Sequence, residues 1–532
     1  MEDIDCLLVG HYALSVGTQI KLAESAFGKN SPYYLDALEK TFLTYKNKKY
    51  TSSQLYNLFY TEGEGDLSFD HVTFEHSFNT AIANIGTYLL RKGLTIDYVN
   101  TFNKGKQRLA SLLSENRVVA VAIVTTFYIT GFPISQIVSY IRKYSPDVNI
   151  VVGGPFIRNL LTTYKNNLSK LNIVLEQMGA DFYVYSGEGE RTLSSLIEAL
   201  KTRDQNNKVA NIFYKCGEQF VFSYEETENR PFNQPMSDWR YFIEDIPDLV
   251  NIRTSKSCPF DCAFCGLPVA GGKAKLLPVS EVEKELRSLR DTGKEPGIFF
   301  IDETLNFPET RFKEMLRMMI RNDFPFKWEA ELRCNSLDSE TVQLMADSGC
   351  QLVHLGIESA NQNILDKMSK RVDVNDYYRA LDLLNEHNIM SSALILVGFP
   401  GETERSFQDT FDFIEKWQPT FFRVHRWFYD HETPVHRNRQ DYRLQGGGYN
   451  WKHFSMNSIE AHKLADTLSL TVQNAVHTDD YTMAFYLLTK GYSKAKVRSF
   501  LSLFDLAIRE KCQDACAERI NSYVNQMKTV LH

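Results

Sequence analysis

Cys258-Pro259-Phe260-Asp261-Cys262-Ala263-Phe264-Cys265 holds three of the chain's nine cysteines within eight residues. Thiolates spaced this closely can fold onto one cubic iron–sulfur cluster, and a [4Fe–4S] cluster normally takes four of them. Three local ligands without a nearby fourth leave one iron open to a small molecule. A structural zinc site is the alternative, but zinc prefers a closed set of four ligands, and neither a fourth cysteine nor a paired histidine stands close by. The other six cysteines (Cys6, Cys216, Cys334, Cys350, Cys512 and Cys516) are scattered, and the total is odd. This is not the pattern of a disulfide framework. Cys512 and Cys516 share a helix face and read either as an auxiliary metal pair or, preferably, as buried and inert thiols.

The loop sits in a regular series of strands and helices. Apolar runs at 250–254, 297–301, 327–332, 352–356, 393–397 and 420–424 alternate with amphipathic stretches at 279–291, 309–321, 339–347, 374–386 and 404–417. Six such units predict a partial (β/α)6 barrel over residues 249–435. The cysteine loop follows its first strand, at the C-terminal mouth where active sites of such barrels gather. Other strand ends carry polar groups: Asp302-Glu303, Arg333, Glu358-Ser359, and Gly398 with Glu402 just beyond. Each charge reads either as a ligand contact or as a solvated loop or salt bridge. Arg423, His425 and Trp427 alternate along the last strand and share one face. That face either lines a substrate cavity, with Arg423 meeting an anionic group, or belongs to an edge strand with its polar residues outward. Residues 436–532 read as a helical region.

Upstream, Asp5-Cys6-Leu7-Leu8-Val9-Gly10 is a short apolar run closed by glycine, as expected of a buried parallel strand. Further strands at 95–99, 118–124, 149–154 and 181–185 alternate with helices, predicting a doubly wound, Rossmann-like α/β domain over 1–224. Residues 12–75 break that rhythm and read as an insertion. Segments 211–215 and 219–222 form a hairpin, and 225–248 is a polar, proline-punctuated linker. Ligands of open parallel sheets lie at the carboxyl ends of the strands. Those ends carry Thr126-Phe127, Gly153-Gly154 and Gly187-Glu188-Gly189, which serve either a flat ligand or merely tight βα turns.

The spacing Cys258, Cys262, Cys265, with Phe264 before the last cysteine, resembles the signature of the radical SAM superfamily. The N-terminal third resembles the cobalamin-binding domain that precedes many such barrels, with Thr126 and Gly153-Gly154 at places that line the nucleotide tail. Families that ligate cobalt through histidine have an Asp-x-His-x-x-Gly loop. Here His11 is near that place, but Val9 and Leu14 replace its Asp and Gly, which favours a structural histidine. Within the cobalamin-dependent branch, the opening strand and Val152-Gly153-Gly154-Pro155 are most similar to the P-methyltransferases of phosphinate antibiotic biosynthesis.

The resemblance implies three cofactors: a [4Fe–4S] cluster on Cys258, Cys262 and Cys265, S-adenosylmethionine (SAM) and cobalamin. It places SAM against Phe264, Asp302, Glu303, Arg333, Glu358, Ser359 and Gly398, and cobalamin against Thr126, Phe127, Gly153, Gly154, Gly187 and Glu188. The implied activity is methylation of an unactivated carbon or phosphinate centre in a natural-product or peptide substrate, with methylcobalamin as donor and a 5′-deoxyadenosyl radical. Ring contraction, cyclisation or oxidation is the alternative. An electron donor such as flavodoxin or ferredoxin is the implied partner. A methylthiotransferase fits less well, because only Cys6 and Cys216 precede Cys258. A net charge of −7 argues against a general nucleic-acid binder. No apolar run reaches the length of a membrane span. An acidic start, Met1-Glu2-Asp3-Ile4-Asp5, lacks the basic character of a secretory signal, so a cytoplasmic setting is expected.

Overall fold

The computed structural model describes residues 3–14, 16–29, 31, 34–35, 40–60, 77–164, 166–202, 208–228, 232–234, 236–513 and 517–531. They divide into two units. The first is Met1–Leu14 with Ser77–Ile246 and Arg287–Gly293, and the second is Ser15–His76 with Pro247–Leu286 and Lys294–His532.

The first unit is built on β1 (Asp3–His11), β2 (Ile96–Thr101), β3 (Arg117–Val124), β4 (Asn149–Gly153), β5 (Phe182–Val184), β6 (Ile212–Cys216) and β7 (Gln219–Phe222). They form one sheet in the order β2-β1-β3-β4-β5-β6-β7. The first five strands are parallel, and the β6–β7 hairpin extends the sheet antiparallel from β5. Central strands covered on both faces must be apolar throughout. That is why β1 and β3 read as near-continuous runs, with Leu7, Val9, Val121, Ile123, Ile150 and Val152 in one core. The parallel order 2-1-3-4-5 reverses direction between β1 and β3, and such a reversal opens a crevice at the carboxyl ends of the strands.

The segment 225–248 is more than a connector. Trp239 and Phe242 in the short helix Trp239–Asp245 are fully buried. Their rings contact Phe78 at 5.8 and 5.1 Å, and Phe242 contacts Tyr98 at 5.4 Å.

The second unit contains β8 (Leu249–Ile252), β9 (Gly297–Phe300), β10 (Trp328–Leu332), β11 (Cys350–Glu358), β12 (Met390–Val397), β13 (Phe421–Arg426) and β14 (Val476–His477). The strands are parallel and lie in chain order. Successive right-handed crossovers in one direction produce this winding. The two-residue β14 adds a seventh strand to the six expected, and it flanks β13, which is therefore not an edge. The C-terminal region supplies the helices Ser458–Thr471, Met483–Thr489, Lys494–Cys512 and Ala517–Leu531. Cys512 is half-buried, and Cys516 lies outside the described residues.

The segment read as an insertion in the first domain belongs to this second unit. Its hairpin (Leu43–Tyr45, Lys48–Tyr50) and helix Ser52–Tyr60 place Leu43, Tyr50, Leu55, Tyr56 and Phe59 in one core with Phe485, Phe500, Val524 and Met527. Tyr56 meets Tyr486 edge-on at 5.8 Å, Lys40 pairs with Asp466 at 2.5 Å, and the Ser52 hydroxyl donates to Asp480 at 2.7 Å. Large aromatic side chains dominate core energetics, so this stripe goes where it is covered. Among the described residues no helix is long and apolar enough to cross a membrane.

Candidate functional site

The cysteine loop leaves β8 through Ser257, which takes a positive φ of 62°. The loop is fastened from several sides. Ala263 N–H donates to Met368 O at 2.7 Å, Val435 N–H to Ala263 O at 2.9 Å, and Cys265 N–H to Cys262 O at 3.0 Å. Arg371 and Asp261 pair at 2.7 Å on the surface. Cys262 is buried, Cys258 and Cys265 are half-buried, and all three are free thiols. Burial, with the Cys262 and Cys258 sulfurs nearby, pushes the Cys265 thiol up to about 11. Among the described residues no three His, Cys, Asp or Glu side chains converge on a single metal ion.

Behind the loop lies an arginine that the sequence singled out and a lysine that it did not. Arg333, 5% exposed, caps the end of β10. Its guanidinium lies 3.9 Å from the Phe260 ring centroid, points one nitrogen at Cys262 Sγ (3.7 Å), and donates to Lys370 O. Among the described residues its buried Nε has no partner. Lys370, also buried, pairs with Glu358 at 2.8 Å and lies 5.7 Å from the Phe264 ring centroid. Cys262, Phe264, Arg333 and Glu358 are thus linked through Lys370. Glu358 sits at positive φ (62°), beside a register shift between β11 and β12.

The remaining barrel positions divide by how they are already engaged. Asp302, fully buried, accepts the Thr254 N–H at 3.0 Å and the Ser255 hydroxyl. It thereby latches the ends of β8 and β9. Burial and the adjacent Glu331 push Glu303 up to about 7. Ser359 is also internal, contacting Thr410 Oγ1 at 3.4 Å and accepting the Asn361 N–H. Gly398 has φ +96°, and a Cβ there would lie 2.7 Å from Trp451, so it shapes the loop by what it lacks. Trp427 turns away from its expected partners. It is buried with Phe399, Trp451 and Tyr429, whereas Arg423 and His425 stay accessible on β13.

The inside of the second unit holds polar residues that sequence reading passed over. Glu331, His354, Ser392 and Phe421 are in register across β10 to β13. Glu329 Oε2 and His354 Nε2 are 3.0 Å apart, while among the described residues Glu329 Oε1 and His354 Nδ1 have no partner. Burial holds Glu329 well above the usual carboxylate range and pushes His354 down to about 4, each away from its charged form. Tyr481 stacks on His354 at 4.1 Å, and its hydroxyl donates to Glu331 at 2.5 Å. The only local signal was alternation of Glu329 and Glu331 in an otherwise apolar strand.

In the first unit, β3 is followed by Thr125, whose hydroxyl and N–H both donate to Gly153 O. Thr126 and Phe127 follow, at the switch point. Phe127 has positive φ (68°) and is 62% exposed; with Ile129 and Phe132 it makes an open apolar platform. Gly154, at φ +110°, lies so close to Thr125 that a Cβ would be 2.9 Å from its hydroxyl oxygen. His11, beneath Phe127 at 6.1 Å between ring centroids, is buried, and among the described residues its Nε2 has no partner. At the end of β5, Gly187 is exposed and Glu188 half-buried. The loop they begin is braced by Glu228, which accepts the Gly189 N–H (3.1 Å), the Thr192 N–H (3.3 Å) and the Thr192 hydroxyl. That carboxylate occupies the start of the helix Glu190–Thr202, where an anion is favoured.

Fold and site together define a chain with one flavodoxin-ordered sheet and one in-order parallel barrel bearing a three-cysteine loop. Residues 252–414 match the Radical SAM superfamily model, and the chain carries a radical SAM domain. It is 33% identical over 171 residues to bacteriochlorophyllide d C-12(1)-methyltransferase of Chlorobaculum tepidum, covering 31% of this chain and 37% of that protein. To the anaerobic magnesium-protoporphyrin IX monomethyl ester cyclase of Cereibacter sphaeroides it is 27% identical over 263 residues, covering 46% and 42%. The chain thus spans about two fifths of the length of these two relatives. In fold it is similar to the radical SAM methyltransferase TsrM of Kitasatospora setae, solved with cobalamin and a [4Fe–4S] cluster, with TM-score 0.60 and 16% identity over 82% of this chain and 97% of that one.

Proposed function

We propose that this chain is a cobalamin-dependent radical SAM methyltransferase acting on an unactivated carbon or a phosphinate centre of a small-molecule or peptide substrate. One observation carries the reading. A three-cysteine loop at a barrel mouth and an open apolar platform at the switch point of a 2-1-3-4-5 sheet occur on one chain. Cys258, Cys262 and Cys265 would hold the cluster. Arg333, with its unpartnered Nε, supplies donors for the SAM carboxylate, and Glu303 supplies a carboxylate for its ammonium. Glu358 acts from one step behind, through Lys370. Thr126, Phe127, Gly153, Gly154, Gly187 and Glu188 would line the cobalamin. When bound, these groups supply one-electron cleavage of the SAM sulfonium and carriage of the methyl group. The chain's own part is to fix geometry and exclude water around the open iron, with Phe260 and Phe264 as its apolar wall. A small acidic electron-transfer protein such as flavodoxin or ferredoxin is the expected reductant.

Similarity to a cyclase favours one second reading, ring formation without methyl transfer. Anaerobic incubation of the reconstituted chain with methyl-deuterated SAM separates the two. Labelled methyl in the product supports methyl transfer, and unlabelled product supports ring formation. A reconstituted chain that releases no 5′-deoxyadenosine from SAM refutes both.

A further inference from the structure

The stretch around the cysteine loop is basic in a chain whose net charge is −7. Between residues 253 and 275 the bases are Arg253, Lys256, Lys273 and Lys275; the single acid, Asp261, is already paired with Arg371. The loop is bracketed by a two-strand ribbon, Ser255–Lys256 against Lys275–Leu276, whose register sets Lys256 directly opposite Lys275. Like charges so placed are destabilising, and so short a ribbon has little packing of its own to offset them. Lys273 and Lys275 are exposed, and among the described residues neither side chain has a hydrogen-bond or ion-pair partner. The next acid along the chain, Glu281, is taken by Lys284 at 2.6 Å.

Apolar side chains stand among these charges. Leu276, beside Lys275, is 37% exposed, and the short helix Leu267–Gly271 carries Leu267 (41%) and Val269 (50%). Both parts are attached to the cysteine loop. Lys256 stands two residues before Cys258 and Leu267 two residues after Cys265. The Ser257 hydroxyl donates to Gly272 O at 2.8 Å, which ties the two flanks together. Exposed apolar groups rimmed by charge have the make-up of a protein contact. Unpaired cations on that rim attract an acidic partner and speed its encounter. The reaction proposed above draws one electron for each SAM cleaved, and electron carriers make small, transient contacts of this kind.

We propose that the ribbon and helix flanking the cysteine loop, with Lys273 and Lys275 on their rim, form the docking face for a small acidic electron-carrier protein. This deepens the function proposed above and rests on it for the cluster that receives the electron. One electron leaves the carrier's redox group, which is oxidised, and enters the cluster, which is reduced; no bond forms or breaks. The test follows bleaching of the visible absorbance of the reconstituted full chain with two reductants. One is flavodoxin in its hydroquinone form, and the other is photoreduced 5-deazariboflavin, which is small, uncharged and needs no docking. The double variant Lys273→Glu with Lys275→Glu should slow reduction by flavodoxin about 10- to 100-fold at low salt, and Lys273→Gln with Lys275→Gln should fall between it and the parent. The parent's flavodoxin rate should drop as salt rises from about 0.02 to about 0.5 M, and the Glu variant's should not. The 5-deazariboflavin rate should be the same in all three. Equal flavodoxin rates in parent and variants, or rates that fall together with those of 5-deazariboflavin, overturn the site and leave the radical reading intact. Poly-glutamate that binds as tightly as flavodoxin would assign the face to an acidic peptide, and a concentration-dependent dimer lost in the variants would assign it to a second copy; either overturns it. If no cluster forms, calorimetric titration with flavodoxin still reads the face, and binding that the Glu variant abolishes keeps the docking face and loses the radical reading.

Discussion

Replacing Glu402 by glutamine isolates the effect of one buried proton on stability. Glu402 is 1% exposed, and its Oε2 accepts the Gly398 N–H at 2.5 Å. Burial raises its carboxyl from 4.5 to about 8. The folded state therefore holds this proton more tightly than the unfolded chain. The stabilisation is complete below pH 4.5 and is lost as pH rises through 8. Each pH unit in mid-window removes about 1.4 kcal/mol and the slope halves at pH 8, so roughly 2 kcal/mol is lost between pH 6 and 8. Glutamine keeps the acceptor for Gly398 and has no proton to lose, so Glu402→Gln should flatten the curve. At about 2 °C per kcal/mol, the variant should gain roughly 4 °C on the parent between those pH values. Thermal unfolding followed by near-ultraviolet circular dichroism across this range reads the difference. Parallel curves for parent and variant would refute the reasoning, since they would mean that the carboxyl titrates in water-like surroundings.

Three other outcomes are expected. Cys258→Ala, Cys262→Ala and Cys265→Ala should each abolish 5′-deoxyadenosine formation and the visible absorbance of the reconstituted cluster; any of them retaining both would remove the ligand assignment. Phe127→Ala exposes no core, yet it removes a ring that is 62% exposed and available to a flat ligand. At about 25 cal/mol per Å² over ~120 Å², this is worth up to ~3 kcal/mol, so hydroxocobalamin retention on gel filtration should fall by about 100-fold in affinity. Glu228→Ala deprives Gly189 and Thr192 of their acceptor and should cost about 1–2 kcal/mol locally, read as faster amide exchange over residues 186–192 with the barrel unaffected.

What the sequence disclosed followed from how local each signal was. The runs in β1 and β3, the cysteine spacing and the βα rhythm are contiguous patterns, and the strand ends came with them. The latch role of Asp302 was illegible because its partners, Thr254 and Ser255, lie nearly fifty residues away across two strand ends. Lys370 was missed for the same reason: nothing near it in sequence announces that it joins Glu358 to the carbonyl that Arg333 reaches. The two-residue β14 has no periodicity to read. The insertion read at 12–75 was given to the first domain because the aromatic stripe within 43–59 says only that it must be covered, and much of the cover comes from helices beyond residue 480.

That last placement has a consequence for biosynthesis. Lys40 and Asp466 are 426 residues apart in the chain, and Ser52 and Asp480 are separated by 428. A ribosome adding about 5–20 residues per second leaves the aromatic stripe of residues 43–59 uncovered for tens of seconds before its partners emerge. Closing so long a loop is entropically costly and slow, so the second unit matures late. Throughout that interval the nascent chain displays Tyr56 and Phe59 to its surroundings. A chaperone that shields aromatic segments would act here, and a fusion that delays release of the C-terminal helices should lower the yield of assembled protein.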